Sequence, residues 1–203
     1  MENNAALVDH LTRRRVLPTT ALREAFLTVD RRLFVPVQYI RRAYGDHPLS
    51  IGHGQTISQP YTVAFMLSKL VVKPGQSVLD VGTGSAWTTA LLAFLVGNKG
   101  HVIGTERIHD LVRFGQENLA RFHFAHAAIE QAGKVVGIPG RHFDRILVSA
   151  AAREIPKALV EQLAPDGHMV LPVGASIVHV HKDNIGVVKT REHYGFSFVP
   201  LIE

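Results

Sequence analysis

"LDVGTGSAW", residues 79–87, joins the apolar run "SVLDVG" to a second apolar run, "AWTTALLAFLV". A short buried-type strand, two glycines and then a helix make a strand–turn–helix unit. Gly82 and Gly84 let its backbone bend tightly and approach a ligand with no Cβ in the way. The helix N-terminus then offers free N–H groups to whatever lies above it. About twenty residues on, Glu106 ends a second strand, "HVIGTE", where an acid receives ribose hydroxyls in nucleotide-binding folds. The combination indicates an adenosine-containing cofactor. Ser85, Ala86 and Trp87 follow Gly84, so the third glycine of a pyrophosphate-binding turn is missing. Asp80, ahead of the first glycine, suits a cationic ligand such as the aminoacyl and sulfonium portion of S-adenosylmethionine, and repels a diphosphate. Its other reading is an acid that caps the following helix.

Outward from this turn the alternation continues. "HDLVRFGQENLARF" reads as a helix, "DRILVSA" as a strand, "PKALVEQL" as a helix and "HMVLPVG" as a strand. Strands separated by helices, with turns such as "KPGQ", "GNKG" and "PDG", predict an open α/β sheet of parallel strands with helices on both faces. The tail "SIVHVH", "IGVVKT" and "FSFVP" predicts antiparallel strands added at one edge. A further strand is expected within 122–142, as "AAIEQ" or "KVVGI". Toward the N-terminus, Pro18 with Thr19 or Thr20 starts a helix whose Leu22, Ala25, Phe26 and Val29 share one face. "FVPVQYIRRAYGDHPLSIG" has neither period and reads as an irregular segment lying across the rest of the protein. The whole is expected to form a single domain, 1–203, with residues 1–60 as a helical and substrate-loop extension and 75–203 as the cofactor-binding core.

Composition narrows the function classes. The chain has 203 residues, 46% of them hydrophobic, enough to bury a substantial core. Its net charge of +5 comes from scattered basic residues, which is not a nucleic-acid footprint. The cluster Arg13, Arg14 and Arg15 reads as a solvated helix end. No cysteine is present, so disulfides, thiolate nucleophiles and cysteine-based zinc sites are excluded. The opening "MENNAALVDHL" is unlike a secretory signal, and no apolar run is long enough for a membrane span. The expectation is a cytoplasmic, monomeric protein that binds neither membrane nor nucleic acid. Among the twelve histidines, His123 and His126 are an i, i+3 pair and His179 and His181 alternate along a strand. None has a carboxylate or cysteine at ligand spacing, so no metal is assigned.

A second stretch, "GHGQTISQPY" at 52–61, concentrates small polar groups just before an apolar run. Read alone it is a loop capping the helix that Pro60 begins, with Ser58 or Thr56 as the cap. With "VLDVGTGS", "VIGTERIHDLVRFGQENL", "DRILVSAAAREIPKALVEQLAPDGHMVLPVG" and "FVPL", however, it resembles the protein-L-isoaspartate O-methyltransferases over nearly the whole chain. That resemblance implies a doubly wound, mostly parallel Rossmann-like methyltransferase sheet with an N-terminal helical extension. The implied reaction moves a methyl group from S-adenosylmethionine to the free carboxylate of an L-isoaspartyl residue in a damaged protein or peptide. It implies Ser58 as the active-site residue. It also implies Gln55, Thr56, Ile57, Ser58, Asp80, Gly82, Thr83, Gly84, Ser85, Glu106, Arg107 and Gly133 around the cofactor.

Three departures from the family pattern stand out. Ala86 replaces the last glycine of the cofactor loop. Gln131, Ala132 and Gly133 occupy the family's Gly-Asp-Gly, so the aspartate that accepts the adenine amino group is absent; Gln131 or Glu130 is the expected substitute. The segment after "LPVG" is short, and peptide contacts from the C-terminal region are not carried over. Three other readings remain open here: methylation of an ordinary aspartate in one dedicated peptide, a degenerate family member that only binds, and an NAD-dependent oxidoreductase, against which the missing third glycine argues.

Overall fold

The computed structural model describes residues 1–202. Two helices open the chain, α1 (Asn4–Arg13) and α2 (Thr20–Thr28), capped by the side chains of Asn3 and Thr19. Leu22, Ala25, Phe26 and Val29 are all buried, as their spacing requires. Each large apolar side chain so placed contributes about 1.5–3 kcal/mol. A 3-10 helix, Arg31–Phe34, leads into the irregular segment, which contains a second one, Val37–Arg42. A small hairpin follows, β1 (Leu49–Gly52) with β2 (Gln55–Ile57), and then α3 (Pro60–Leu70) with Pro60 in its first turn.

The main sheet contains β3 (Ser77–Val81), β4 (His101–Glu106), β5 (Ala127–Gln131), β6 (Phe143–Val148), β7 (Leu163–Val173), β8 (Ser176–Lys182) and β9 (Val188–Tyr194), in the order β5-β4-β3-β6-β7-β8-β9. Its first five strands are parallel, and β8 and β9 add antiparallel at one edge. The intervening helices are α4 (Trp87–Val96), α5 (His109–Ala120) and α6 (Lys157–Glu161). Strand order reverses at β3, so a crevice opens beyond the C-terminal ends of β3 and its neighbours, where ligands bind in open α/β sheets.

Helices α1 to α5 bury one face of the sheet in a large core running from Leu7 to Ile177. The other face carries a smaller core of Phe143, Ile146, Leu159 and Met169, with Val136 and Ile138 against it. Of the two alternatives within 122–142, "AAIEQ" is the strand; "KVVGI" belongs to a helix-free crossover covering the second core. "FSFVP" is not an edge strand. Ala151 N donates to Val199 O at 2.8 Å and Leu201 N to Ala151 O at 2.8 Å, so the tail folds back over the loop after β6. Strand β9 runs to Tyr194 and fills the edge alone.

The N-terminal extension is tied to the cofactor turn through Trp87, the first residue of α4. Its indole Nε1 donates to Val29 O at 3.2 Å, and its ring meets Phe26 edge-on with centroids 5.4 Å apart. Helix α1 is joined to the end of α2 by Asn4 Nδ2, which donates to Phe26 O at 2.8 Å.

Candidate active site

The turn after β3 takes the shape its glycines allow. Gly82 has φ 76° and Gly84 φ 54°, both left-handed. The N–H groups of Gly82 and Thr83 donate to Thr105 O at 2.8 and 3.1 Å, which pins the turn to β4. Ala86 stands in the same left-handed region, φ 74°, where L-residues are disfavoured by about 1–2 kcal/mol. Its buried methyl is accommodated by Gly115 of α5, where an added Cβ would lie 3.4 Å from it and 3.0 Å from Gly84 O.

Glu106 organises the turn's rim. Oε1 accepts from the backbone N–H of Arg107 and Ile108 at 2.8 and 2.9 Å, and Oε2 accepts from Gly84 N at 3.1 Å. Oε2 thereby keeps acceptor capacity for a ligand. Asp80 lies elsewhere than its spacing implied. It is wholly buried beneath the turn, and Oδ2 accepts from the hydroxyls of Thr88 and Thr89 at 2.6 and 2.7 Å. Burial raises its pKa to about 6, against the lowering effect of the threonine hydrogen bonds. It ties the turn to the first turn of α4 from below, and its Oδ1 has no partner.

The hairpin comes down over this turn. An added Cβ on Gly84 would lie 3.0 Å from Ile51 Cδ1, so β1 rides directly above the glycine. One cavity of about 380 Å³ lies between the two pieces, a size typical of small-molecule sites. Gln55, Thr56, Ile57 and Ser58 line it from the hairpin side, Gly82, Thr83, Gly84 and Ser85 from the turn, and Glu106, Arg107 and Gly133 from the ends of β4 and β5. Of the residues expected around a cofactor, Asp80 alone stays outside this lining. Neither Gln131 nor Glu130 lines it either. The Gln131 amide is occupied with Arg107 O at 2.6 Å and Glu106 O at 3.3 Å, and the wall there is formed by Ala132, Gly133 and Lys134.

Ser58 and Thr56 do not cap the next helix. Gln59 is the cap residue of α3 and makes no side-chain cap hydrogen bond; Asp46 Oδ1 instead accepts from Tyr61 N at 2.9 Å. Ser58 stands at a boundary, because a second hollow of about 730 Å³ begins there. This groove is lined by Pro48, Gln59, Tyr61, Thr62 and the segment Tyr194–Val199, and it shares Thr56, Ser58, Ser149 and Val199 with the first cavity. Among the described residues no charged side chain lines it. The C-terminal segment, to which the resemblance carries over no peptide contacts, forms one of its walls.

Two site features escaped sequence reading. Ser149, at the C-terminal end of "DRILVSA", faces both hollows; its place at a strand end on the ligand side of the sheet was the available signal. Arg31 gave no signal. Its guanidinium is fully buried and serves five carbonyls: Nη1 donates to Ala43 O at 2.6 Å and Gly45 O at 3.4 Å, and Nη2 to His47 O at 3.1 Å, Ile57 O at 3.5 Å and Ser58 O at 3.1 Å. Burial pulls its pKa down to about 9, with Asp46 acting in the opposite direction, so it remains a cation at neutral pH.

Comparison with known proteins bears directly on this arrangement. The profile of the protein-L-isoaspartate(D-aspartate) O-methyltransferase family matches residues 2–203. The chain belongs to that family. Protein-L-isoaspartate O-methyltransferases of Pyrococcus horikoshii and Aeropyrum pernix are each 42% identical to it, over 96% and 99% of this chain and 90% and 80% of those relatives. A crystal structure described as a protein-L-isoaspartate O-methyltransferase of Plasmodium falciparum, in complex with S-adenosyl-L-homocysteine, superposes with a TM-score of 0.89. It is 29% identical and covers 100% of this chain and 99% of that one. A further solved protein-L-isoaspartate O-methyltransferase, 22% identical with a TM-score of 0.86, covers 98% of this chain and 66% of that one and supports the fold.

Proposed function

We infer that this family member transfers a methyl group from S-adenosylmethionine to the free carboxylate of L-isoaspartyl residues in proteins or peptides, a protein-repair reaction. The observation that carries this reading is the position of Ser58 on the boundary of two hollows, one beside the glycine turn and one open as a groove. The first fits S-adenosylmethionine on three counts. Gly82 and Gly84 permit close backbone approach, Oε2 of Glu106 retains an acceptor for a ribose hydroxyl, and the wall at Ala132, Gly133 and Lys134 leaves room for a flat ring above Gly133, where an added Cβ would meet nothing within 4 Å.

When bound, S-adenosylmethionine supplies a methyl group on a positively charged sulfur. The chain's own part is positioning. An isoaspartyl carboxyl has an ordinary pKa near 4 and is ionised at neutral pH, so no side chain has to remove a proton. The hydroxyls of Ser58 and Thr56 donate hydrogen bonds that orient the carboxylate without protonating it. The hairpin holding them excludes water, and orientation of this kind supplies the main part of the rate. Asp80 and Arg107 act on the turn and its rim. Arg31 fixes the backbone on which Ser58 stands.

The uncharged groove beyond Ser58 takes the peptide on either side of the isoaspartyl residue. We read residues 1–203 as one catalytic domain, acting as a cytoplasmic monomer without nucleic acid, membrane or metal. In support, no helix among the described residues is long and apolar enough to cross a membrane.

Ser58→Ala tests the assignment. Methyl transfer to an isoaspartyl peptide is expected to fall at least tenfold, as the loss of one charge-assisted hydrogen bond implies. Calorimetry should show S-adenosylmethionine binding as before. Wild-type turnover in that variant would remove Ser58 from the mechanism.

A further inference from the structure

On the α3 side of the sheet, beyond the groove, basic side chains collect, and among the described residues none of them forms an ion pair. Cross-strand pairing places Arg145 beside His168, His168 beside His181, and His181 beside Lys189. The next row pairs His179 with Arg191, and the next pairs Ile177 with His193. Paired residues share a face, so these side chains form one strip over β6 to β9. The imidazole of His168 hydrogen-bonds His179 at 2.8 Å and stacks on His181 with centroids 4.5 Å apart. Lys69 of α3 lies over the Phe65 ring, and Lys73 follows in the next loop. Burial and the surrounding positive charge both lower the pKa of His168, to about 4, and those of His179 and His193 are lowered for the same reasons. The permanent charge that the strip presents is that of Lys69, Lys73, Lys189 and Arg191.

Among the described residues no carboxylate forms an ion pair with the strip. The ion pairs among the described residues lie elsewhere, at Asp9, Asp46 and Asp110. Asp144, the acid nearest Arg145, spends its carboxylate on Ser77 N at 2.8 Å, and Glu192 points to the other face of β9 by alternation.

The strip is continuous with the groove. Phe65 touches His193 on one side and Phe196 on the other, both with centroids 5.1 Å away, and Phe196 lines the groove. From Tyr194 on the rim of the groove to Lys189 at the far end of the strip, β9 spans about 17 Å, the reach of roughly five to six extended residues. We propose that it is an exosite for an acidic segment of the substrate polypeptide, engaged by Lys69, Lys73, Lys189 and Arg191 while the isoaspartyl residue lies at Ser58. This rests on the function proposed above and extends it to a substrate preference: isoaspartyl sites with a run of acidic residues that begins about six positions away and continues beyond. The uncharged groove takes the near residues, and the strip reads those farther out.

The test compares isoaspartyl peptides carrying a run of glutamates or of glutamines about six residues away, on either side in separate peptides. At low salt one glutamate peptide should show a KM about tenfold below its glutamine twin with kcat unchanged, and high salt should erase the difference. The exposed double substitution Lys189→Gln, Arg191→Gln should abolish the preference and leave the glutamine peptides unaffected. Equal KM values in both orientations, or a preference that survives the double substitution, would overturn the exosite. Anisotropy with a labelled glutamate-run peptide lacking isoaspartate separates the two claims. If no peptide is methylated, the function fails, and salt-sensitive binding lost in the double variant still supports the exosite, whereas no binding overturns it.

Discussion

Arg31 Nη2 donates to the carbonyl oxygen of Ser58 at 3.1 Å, while its guanidinium carbon lies 5.4 Å from the centre of the Trp87 ring. One buried cation therefore touches both sides of the cavity: the backbone of Ser58 and the first residue of the helix that follows the glycine turn. Lysine has three donors where arginine has five in a planar fork, and it cannot serve five carbonyls. Arg31→Lys is expected to lower kcat/KM for an isoaspartyl peptide at least tenfold and to lower the melting temperature, with each unsatisfied buried carbonyl costing about 1–3 kcal/mol. Steady-state kinetics beside thermal melts check it; wild-type kinetics would show that the loop holds itself.

Glu106 should govern cofactor affinity alone. Its truncation removes the acceptor for Gly84 N and for a ribose hydroxyl together. Glu106→Ala is expected to raise the S-adenosylmethionine dissociation constant about tenfold or more, with the KM for peptide nearly unchanged. An unaltered dissociation constant in calorimetry would place the ribose elsewhere.

Gly84 and Ile51 should be energetically coupled. Alanine at 84 meets two obstacles, the left-handed backbone at φ 54° and Ile51 Cδ1 at 3.0 Å. Gly84→Ala is expected to destabilise by about 1–3 kcal/mol and to weaken cofactor binding. Ile51→Val shortens the side chain over the turn and should recover the steric part, leaving the backbone part. Strictly additive effects in a double-mutant cycle would mean that the hairpin does not bear on the turn.

Asp80 sets a pH dependence of stability. Its folded pKa, about 6, lies above the ordinary 3.8, so the folded state holds this proton more tightly than the unfolded chain. The contribution to stability is complete below about pH 3.8 and is lost as pH rises through about 6. At pH 7.5 the ionised form costs about 2–3 kcal/mol, an order-of-magnitude figure. Asp80→Asn keeps an acceptor for Thr88 and Thr89 without the charge. Denaturant titrations should therefore show it gaining stability relative to wild type between pH 4.5 and 7.5, and a constant difference across that range would contradict the assignment.

How much of this was legible follows from what each signal measures. The turn at 79–87 was readable because Gly82 and Gly84 are demanded by backbone geometry, which is local. The order of strands followed from alternation, and Trp87 began a helix as expected. Asp80 was misplaced because a strand-end acid reads the same whether it faces a ligand or lies beneath the turn, and the hydroxyls of Thr88 and Thr89 reach it only once α4 is folded. "AAIEQ" and "KVVGI" are equally apolar and short, and only the packing of Val136 and Ile138 on the second core tells them apart. "FSFVP" has strand composition, but its partner is the loop after β6 rather than the sheet edge. Arg31 was invisible because its five acceptors are backbone oxygens, which leave no trace in side-chain pattern. The resemblance at 52–61 singled out Ser58, and its place between two hollows depends on the hairpin descending over Gly84, a long-range contact.

The segment 52–61 and the turn at 80–85 line one cavity, in which we place the transfer of a methyl group to an isoaspartyl carboxylate. The direct measurement gives the wild-type protein S-adenosylmethionine with an isoaspartyl peptide and, separately, its ordinary aspartyl twin, and reads the methanol released when the ester is hydrolysed. Methanol from the isoaspartyl peptide and only background from the twin is the predicted result. Methanol from the twin alone, or from neither peptide while S-adenosylmethionine binds, would contradict it.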